Sequence, residues 1–97
     1  MLRVVFGPAA RAEMLEAFDW YASRSPVVAA RFIAAVDTAI ARLGDNPLQF
    51  PSVLRDVRRV RLHLFPYALF FRSDGTTIDV IACFHARRNP RHWQRRT

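Results

Sequence analysis

Arg59, Arg61 and His63 alternate along one short stretch of this chain, and Cys83, His85 and Arg87 alternate along another. In extended backbone every second side chain shares a face, so each triplet would present its groups to one side. A histidine flanked by arginines can act on RNA: the imidazole moves a proton while guanidinium groups stabilise charge developing on the scissile phosphate. The same groups can equally form a cationic surface that only binds. For His85 a structural or contact role is favoured over proton transfer. For Arg59 and Arg61, binding an anionic partner is favoured over plain solvation. Neighbouring antiparallel strands would bring the two triplets together.

Other chemistry has less support. Gly7, Gly44 and Gly75 are far apart and make no phosphate-cradling loop. The cysteine and histidines lack zinc-ligand spacing, so neither a metal nor a cofactor is expected. No serine or cysteine has an evident base partner. Glu13 and Glu16 are expected to face water, and Cys83 to be a small buried hydrophobe. There is no lysine, so any contact with carboxylate or phosphate would use planar guanidinium forks.

The charge is lopsided. Residues 1–54 balance five arginines with five acids, whereas residues 55–97 set ten arginines against Asp56, Asp74 and Asp79, a surplus of +7. Such a half suits an anionic partner, either nucleic acid or an acidic protein segment. An apolar fraction of 52% in 97 residues fits one packed domain over 1–97. No apolar run approaches the roughly 18 residues needed to cross a membrane. No secretory signal is evident, so a cytoplasmic location is expected.

The elements that must position these groups follow from periodicity. Leu2 to Phe6 reads as a strand ended by Gly7-Pro8. A helix from Ala9 carries an apolar stripe of Met14, Leu15, Phe18, Tyr21 and Ala22. Ser25-Pro26 starts a second helix through Phe32, Val36, Ile40 and Leu43, with Gly44 expected just past its end. Residues 44–56 read as a loop. Val60, Leu62 and Leu64 then alternate with Arg59, Arg61 and His63 as a strand. Tyr67 to Arg72 and Thr77 to His85 complete an antiparallel meander, with a turn at Ser73-Asp74-Gly75-Thr76. A short helix around Trp93 is expected at the end. The fold class is therefore α+β, ordered β-α-α-β-β-β with a short C-terminal helix and a helical hairpin on the sheet. The aromatics of the meander are expected in the core. Trp93 either pins the last helix or meets a partner.

Taken in order, several segments resemble the RelE/ParE superfamily of bacterial type II toxin–antitoxin toxins, on its ParE side. They are Ala17-Phe18-Asp19-Trp20-Tyr21, Ser25-Pro26-Val27-Val28-Ala29-Ala30-Arg31-Phe32, Asn46-Pro47, Val57-Arg58-Arg59-Val60, Tyr67-Ala68-Leu69-Phe70-Phe71-Arg72 and Val80-Ile81-Ala82-Cys83-Phe84-His85-Ala86-Arg87-Arg88. Together they span nearly the whole chain.

The resemblance implies a growth-inhibiting toxin, of the kind used in plasmid stabilisation, neutralised in a hetero-oligomer by a cognate antitoxin with an acidic segment. It implies one of two targets: DNA gyrase, poisoned without catalysis by ParE-type members, or mRNA in the ribosomal A site, cut by RelE-type members. RelE-type nucleases usually carry an arginine where Ala68 stands, and often a tyrosine near the C-terminus; none follows Tyr67 here. Arg61 or Arg72 would have to replace that arginine. The ParE-like, gyrase-directed reading is preferred. A ribosome-dependent endonuclease using His85, Arg61 and Arg87 is the alternative, and a degenerate antitoxin-binding module a third. The partner surface is expected at Arg58, Arg59, Arg61, His85, Arg87, Arg88, Arg91 and Trp93.

Overall fold

The computed structural model describes residues 1–97. Strand β1 (Arg3–Phe6) leads into helix α1 (Pro8–Ala22) and helix α2 (Pro26–Asp45). A short 3-10 turn (Pro47–Gln49) follows, then strands β2 (Ser52–Leu54), β3 (Val57–Arg61), β4 (Tyr67–Ser73) and β5 (Thr77–His85), and helix α3 (Arg91–Gln94). The five strands form one mixed sheet in the order β1-β5-β4-β3-β2. The helical hairpin and the antiparallel β3–β4–β5 meander are as the sequence implies, and β1 joins the sheet parallel to β5.

Local chemistry explains the helix boundaries. Pro8 and Pro26 each occupy a first-turn position, where a missing N–H costs nothing. The Ser25 hydroxyl caps α2 by accepting from the Val28 N–H at 3.3 Å. Gly44 is not the residue past the helix, as expected, but lies inside its last turn. A Cβ there would sit 3.0 Å from Met1 Cγ and 3.2 Å from the Leu2 carbonyl. The Leu2 N–H donates to the Gly44 carbonyl at 2.9 Å, so this glycine admits the start of β1.

Residues 52–54, expected in a loop, form edge strand β2. A tight turn at Arg55-Asp56 joins it to β3, with Arg55 at a φ of 50°. That conformation normally recruits glycine or asparagine, so the sequence carries no hairpin signal there. The following strand is also displaced. It starts at Val57 and stops at Arg61, because the chain turns through Leu64 (φ 69°) towards Pro66. His63 therefore lies in the turn, not beside Arg59 and Arg61. Leu64, expected on the apolar face, is 81% exposed. The Asp74 carboxylate caps the β4–β5 turn by accepting from the Thr76 and Thr77 N–H groups, and these bonds hold its pKa below the usual carboxylate value.

Two cores sandwich the sheet. Between helices and sheet lie Phe32, Val36, Leu43, Val60, Leu69, Phe71, Ile78, Val80 and Cys83. On the other face Val57, Ala68, Phe70, Ala82 and Phe84 gather around Trp93. Trp93 stacks on Phe70 with centroids 4.2 Å apart and pins α3 to the sheet.

A bulge in β5 governs which residues face which core. Phe70 pairs with Ala82 but Phe71 pairs with Val80, so Ile81 is an extra residue. Ile81 and Ala82 both pack towards α3, and Cys83 returns to the helix side. Just past the bulge β1 has ended, and the edge of β5 is covered by side chains instead. Glu13 Oε1 accepts from the Cys83 N–H at 3.1 Å. Arg96 grips both oxygens of Glu13, at 2.9 and 2.8 Å, and donates to the Ile81 carbonyl at 3.0 Å. Glu13 thus does not face water, as its place off the apolar stripe had suggested. Leu15, placed on that stripe, is half exposed.

The Glu13–Arg96 pair is mostly shielded and bidentate, so it should contribute to stability as exposed pairs rarely do. Glu13→Ala is expected to destabilise the fold by about 2 kcal/mol and Arg96→Ala by about 1–2 kcal/mol. In urea melts the double variant should lose less than the two single losses together; strict additivity would mean the groups act independently.

Candidate functional site

His85 stands at the junction of two grooves. The first, about 550 Å³, runs between α1 and the end of β5; its lining includes Glu16, Ala17, Trp20, Tyr21, Tyr67, Cys83, His85 and Arg88. The second, about 610 Å³, lies across the other face of the sheet. Ala68, Phe70, Phe84 and Trp93 contribute apolar surface to it, and Arg59, Arg61, His85 and Arg88 contribute cationic or polar groups.

The bulge explains this division. With strict alternation from Ile78 and Val80, Cys83 and His85 would share the α3 face with Arg59 and Arg61. The extra residue Ile81 turns them towards α1 instead. The two triplets thus lie on opposite faces, and His85 reaches the arginine groove only at its rim.

The tautomer of His85 is fixed locally. The Arg87 backbone N–H donates to His85 Nδ1 at 3.0 Å. An accepting Nδ1 carries no proton, so the neutral ring holds its proton on Nε2 and presents a donor there. The ring edge packs against Tyr67, with centroids 5.1 Å apart. In this arrangement His85 offers a hydrogen-bond donor at Nε2.

The other predicted site residues separate. Arg59, Arg61 and Arg88 line the second groove, with Trp93 in its apolar part. Arg61 lies opposite Ala68 in the β3–β4 register, so it is Arg61 that stands beside the position where a nuclease arginine was missing. Arg72 does not serve there: it pairs with Asp56 at 3.2 Å and donates to the Thr97 carbonyl. Arg58 points away from the groove and donates to the Phe50 carbonyl. Arg87 and Arg91 are exposed and line neither groove. Trp93 is buried by α3 packing rather than displayed.

Sequence reasoning gave no site role to Trp20, Glu13 or Arg96. Trp20 is 52% exposed at the first groove, its ring covered by the Arg24 guanidinium 3.6 Å from the centroid. A tryptophan off the apolar stripe of α1 and four residues before an arginine was the available signal.

A family model described as the ParE toxin of the type II toxin–antitoxin system parDE matches residues 4–90. This chain belongs to the ParE toxin family. Among relatives of the family, Toxin ParE2 of Mycobacterium tuberculosis is 29% identical over 79 residues, 80% of this chain and 75% of the relative. The fold is shared with a solved chain of the chromosomal ParDE system from P. aeruginosa, at a TM-score of 0.75 and 21% identity, covering 88% of this chain and 96% of that one. It is also shared with a chain of the toxin–antitoxin complex RelBE2 from Mycobacterium tuberculosis, at 0.61 and 24%, covering 87% and 96%. The resemblance in sequence thus holds at the level of family and of α+β architecture.

Within this ParE-family chain the Cys83 thiol is buried and poorly suited to ionise. Burial first, and the Glu13 carboxylate second, push its thiol up to about 12. An unfolded thiol ionises near pH 8.5, so the folded state loses stability as pH rises from there towards 12. Tyr21 and Tyr67, also raised by burial, act in the same direction. Urea melts at pH 8 and pH 10.5 should therefore differ more for the unaltered chain than for Cys83→Ala. An equal difference would remove Cys83 from the pH dependence.

Proposed function

We propose that this ParE-family toxin is held inactive by a cognate antitoxin, in a hetero-oligomer in the cytoplasm, and that it inhibits DNA gyrase by binding rather than by catalysis. The observation that carries this reading is the state of His85. Its Nδ1 is engaged by the Arg87 N–H, which leaves Nε2 as a donor. A nuclease base needs an unprotonated nitrogen facing its substrate. What remains at the second groove is an apolar floor with an arginine rim, the chemistry of a docking surface.

The antitoxin's working segment is read as acidic. Ten arginines lie after residue 54, and Arg59, Arg61 and Arg88 border one groove. Carboxylates laid across these forks would be paired bidentately. Arg59→Ala combined with Arg61→Ala should weaken antitoxin binding about tenfold at low salt, and less in high salt. Unchanged affinity would place the antitoxin elsewhere, and a loss that does not vary with salt would exclude carboxylate pairing at these arginines.

One observation favours the second reading, a ribosome-dependent endonuclease: Arg61 stands beside Ala68, where a guanidinium would otherwise be missing. Side-by-side assays separate the two. The gyrase reading predicts loss of supercoiling or trapped cleavage complexes with antitoxin-free protein, retained in His85→Ala. The nuclease reading predicts codon-positioned cuts in translated mRNA, lost in His85→Ala and Arg61→Ala. No effect on gyrase at stoichiometric excess would end the first reading. Normal growth on induction without antitoxin would end both and leave a module that only binds.

A further inference from the structure

The edge of β5 beyond the bulge is a partly filled strand site. In a parallel pair, one residue of the added strand bridges the carbonyl and N–H of two alternate residues on its neighbour. Opposite Ala82 those groups are the Ile81 carbonyl and the Cys83 N–H. Arg96 donates to the first and Glu13 accepts from the second, so two side chains reproduce the N–H and carbonyl of one strand residue. This continues the line of β1: Gly7, the residue just after it, donates its N–H to the Val80 carbonyl at 2.9 Å.

One step further along, opposite Phe84, the equivalent groups are the Cys83 carbonyl and the His85 N–H. Neither faces β4. Ala86 bonds Pro66 across that ladder, and Tyr67 turns its carbonyl to Leu62, so residues 83 and 85 direct their backbone groups outwards. The edge opens into the first groove, beside Ala17, Trp20 and Tyr21 on α1. A helix flanking an open strand edge is the setting for strand addition, with main-chain bonds giving affinity and alternate side chains giving specificity.

We propose that an extended acidic segment of the antitoxin adds to β5 as a short parallel strand, one residue bridging the Cys83 carbonyl and the His85 N–H. The proposal rests on the antitoxin reading above and assigns that partner a second point of attachment, separate from the Arg59–Arg61 rim. The free pair of groups sets the direction: an antiparallel strand would need the Cys83 N–H, taken by Glu13, and the His85 carbonyl, taken by the Arg88 N–H at 3.1 Å. Side chains before and after the bridging residue turn towards α1. There the groove is aromatic, with Glu16 at its wall, so it suits an apolar side chain. Carboxylates of the same segment meet Arg88, as Glu13 already meets Arg96. The chain's large cationic surplus favours an acidic occupant over a neutral one.

The test separates backbone from side chain. His85→Ala keeps the edge N–H; His85→Pro deletes it while leaving the β4 ladder, which uses residues 84 and 86, in place. With the separately purified cognate antitoxin titrated onto each full-length variant, His85→Pro should bind at least about tenfold more weakly than His85→Ala. Hydrogen exchange at the His85 amide of the unaltered chain should also slow at least about tenfold in the complex, a readout that needs no variant. Equal affinities of the two variants, or an unprotected His85 amide, would overturn the strand proposal alone. No binding of antitoxin by the unaltered chain would overturn the antitoxin reading and this proposal with it.

Discussion

Strand β5 has a full-length neighbour on one side only, and the rest of the structure is arranged around that shortage. β4 covers it from end to end, whereas β1 runs out at Phe6, opposite Val80. Backbone groups past that point would be left on an open edge, the usual route to unwanted strand pairing. The bulge at Ile81, the Glu13 carboxylate and the Arg96 guanidinium together manage this edge. Because Glu13 is on α1 and Arg96 lies beyond α3, the same contact ties both helical layers to β5. The Cys83 thiol sits behind it, kept neutral by burial and by that carboxylate.

The bulge also decides the chemistry available at the surface. One extra residue sends His85 to the α1 side and leaves Arg59 and Arg61 on the α3 side. A proton-transfer group and phosphate-binding arginines act together only when they converge on one reacting centre. Here they meet at a rim, and His85 Nδ1 is already occupied. Two adjoining grooves with different linings are better suited to a partner that wraps round the end of the sheet. One groove is aromatic beside an open backbone edge. The other is apolar with arginines around it.

Much of this was legible from the residues. Ser25-Pro26, the helical stripe through Phe32 and Val36, and the Asp74-Gly75 turn state their structures directly, because caps, periodicity and turn chemistry act over a few positions. What was not legible depended on contacts distant in sequence. Gly44 looks like a helix terminator until Met1 and Leu2 are packed against it. Glu13 looks solvated until Arg96, far along the chain, arrives beside it. The β2–β3 turn uses Arg55 at positive φ, against local preference. Strict alternation along β5 had no way of registering one extra residue, so the triplet of Cys83, His85 and Arg87 was grouped with the wrong face.

Charge pattern and site geometry now give different kinds of information. The surplus of arginine after residue 54 favours an anionic partner and its salt-sensitive capture, but arginines spread over a surface do not say where that partner lies. Several of them have internal duties: Arg58 holds the Phe50 carbonyl, Arg72 pairs with Asp56, and Arg96 closes the β5 edge. Position comes instead from groups with directional needs. The backbone pair at Cys83 and His85 suits only an extended chain running one way, and the Nε2–H of His85 donates only to an oxygen or an equivalent acceptor. A partner that satisfies both while laying carboxylates on Arg61 and Arg88 must pass over His85 between the two grooves. The histidine that first looked like a catalyst is thus the point where a bound segment would cross from one face of the sheet to the other.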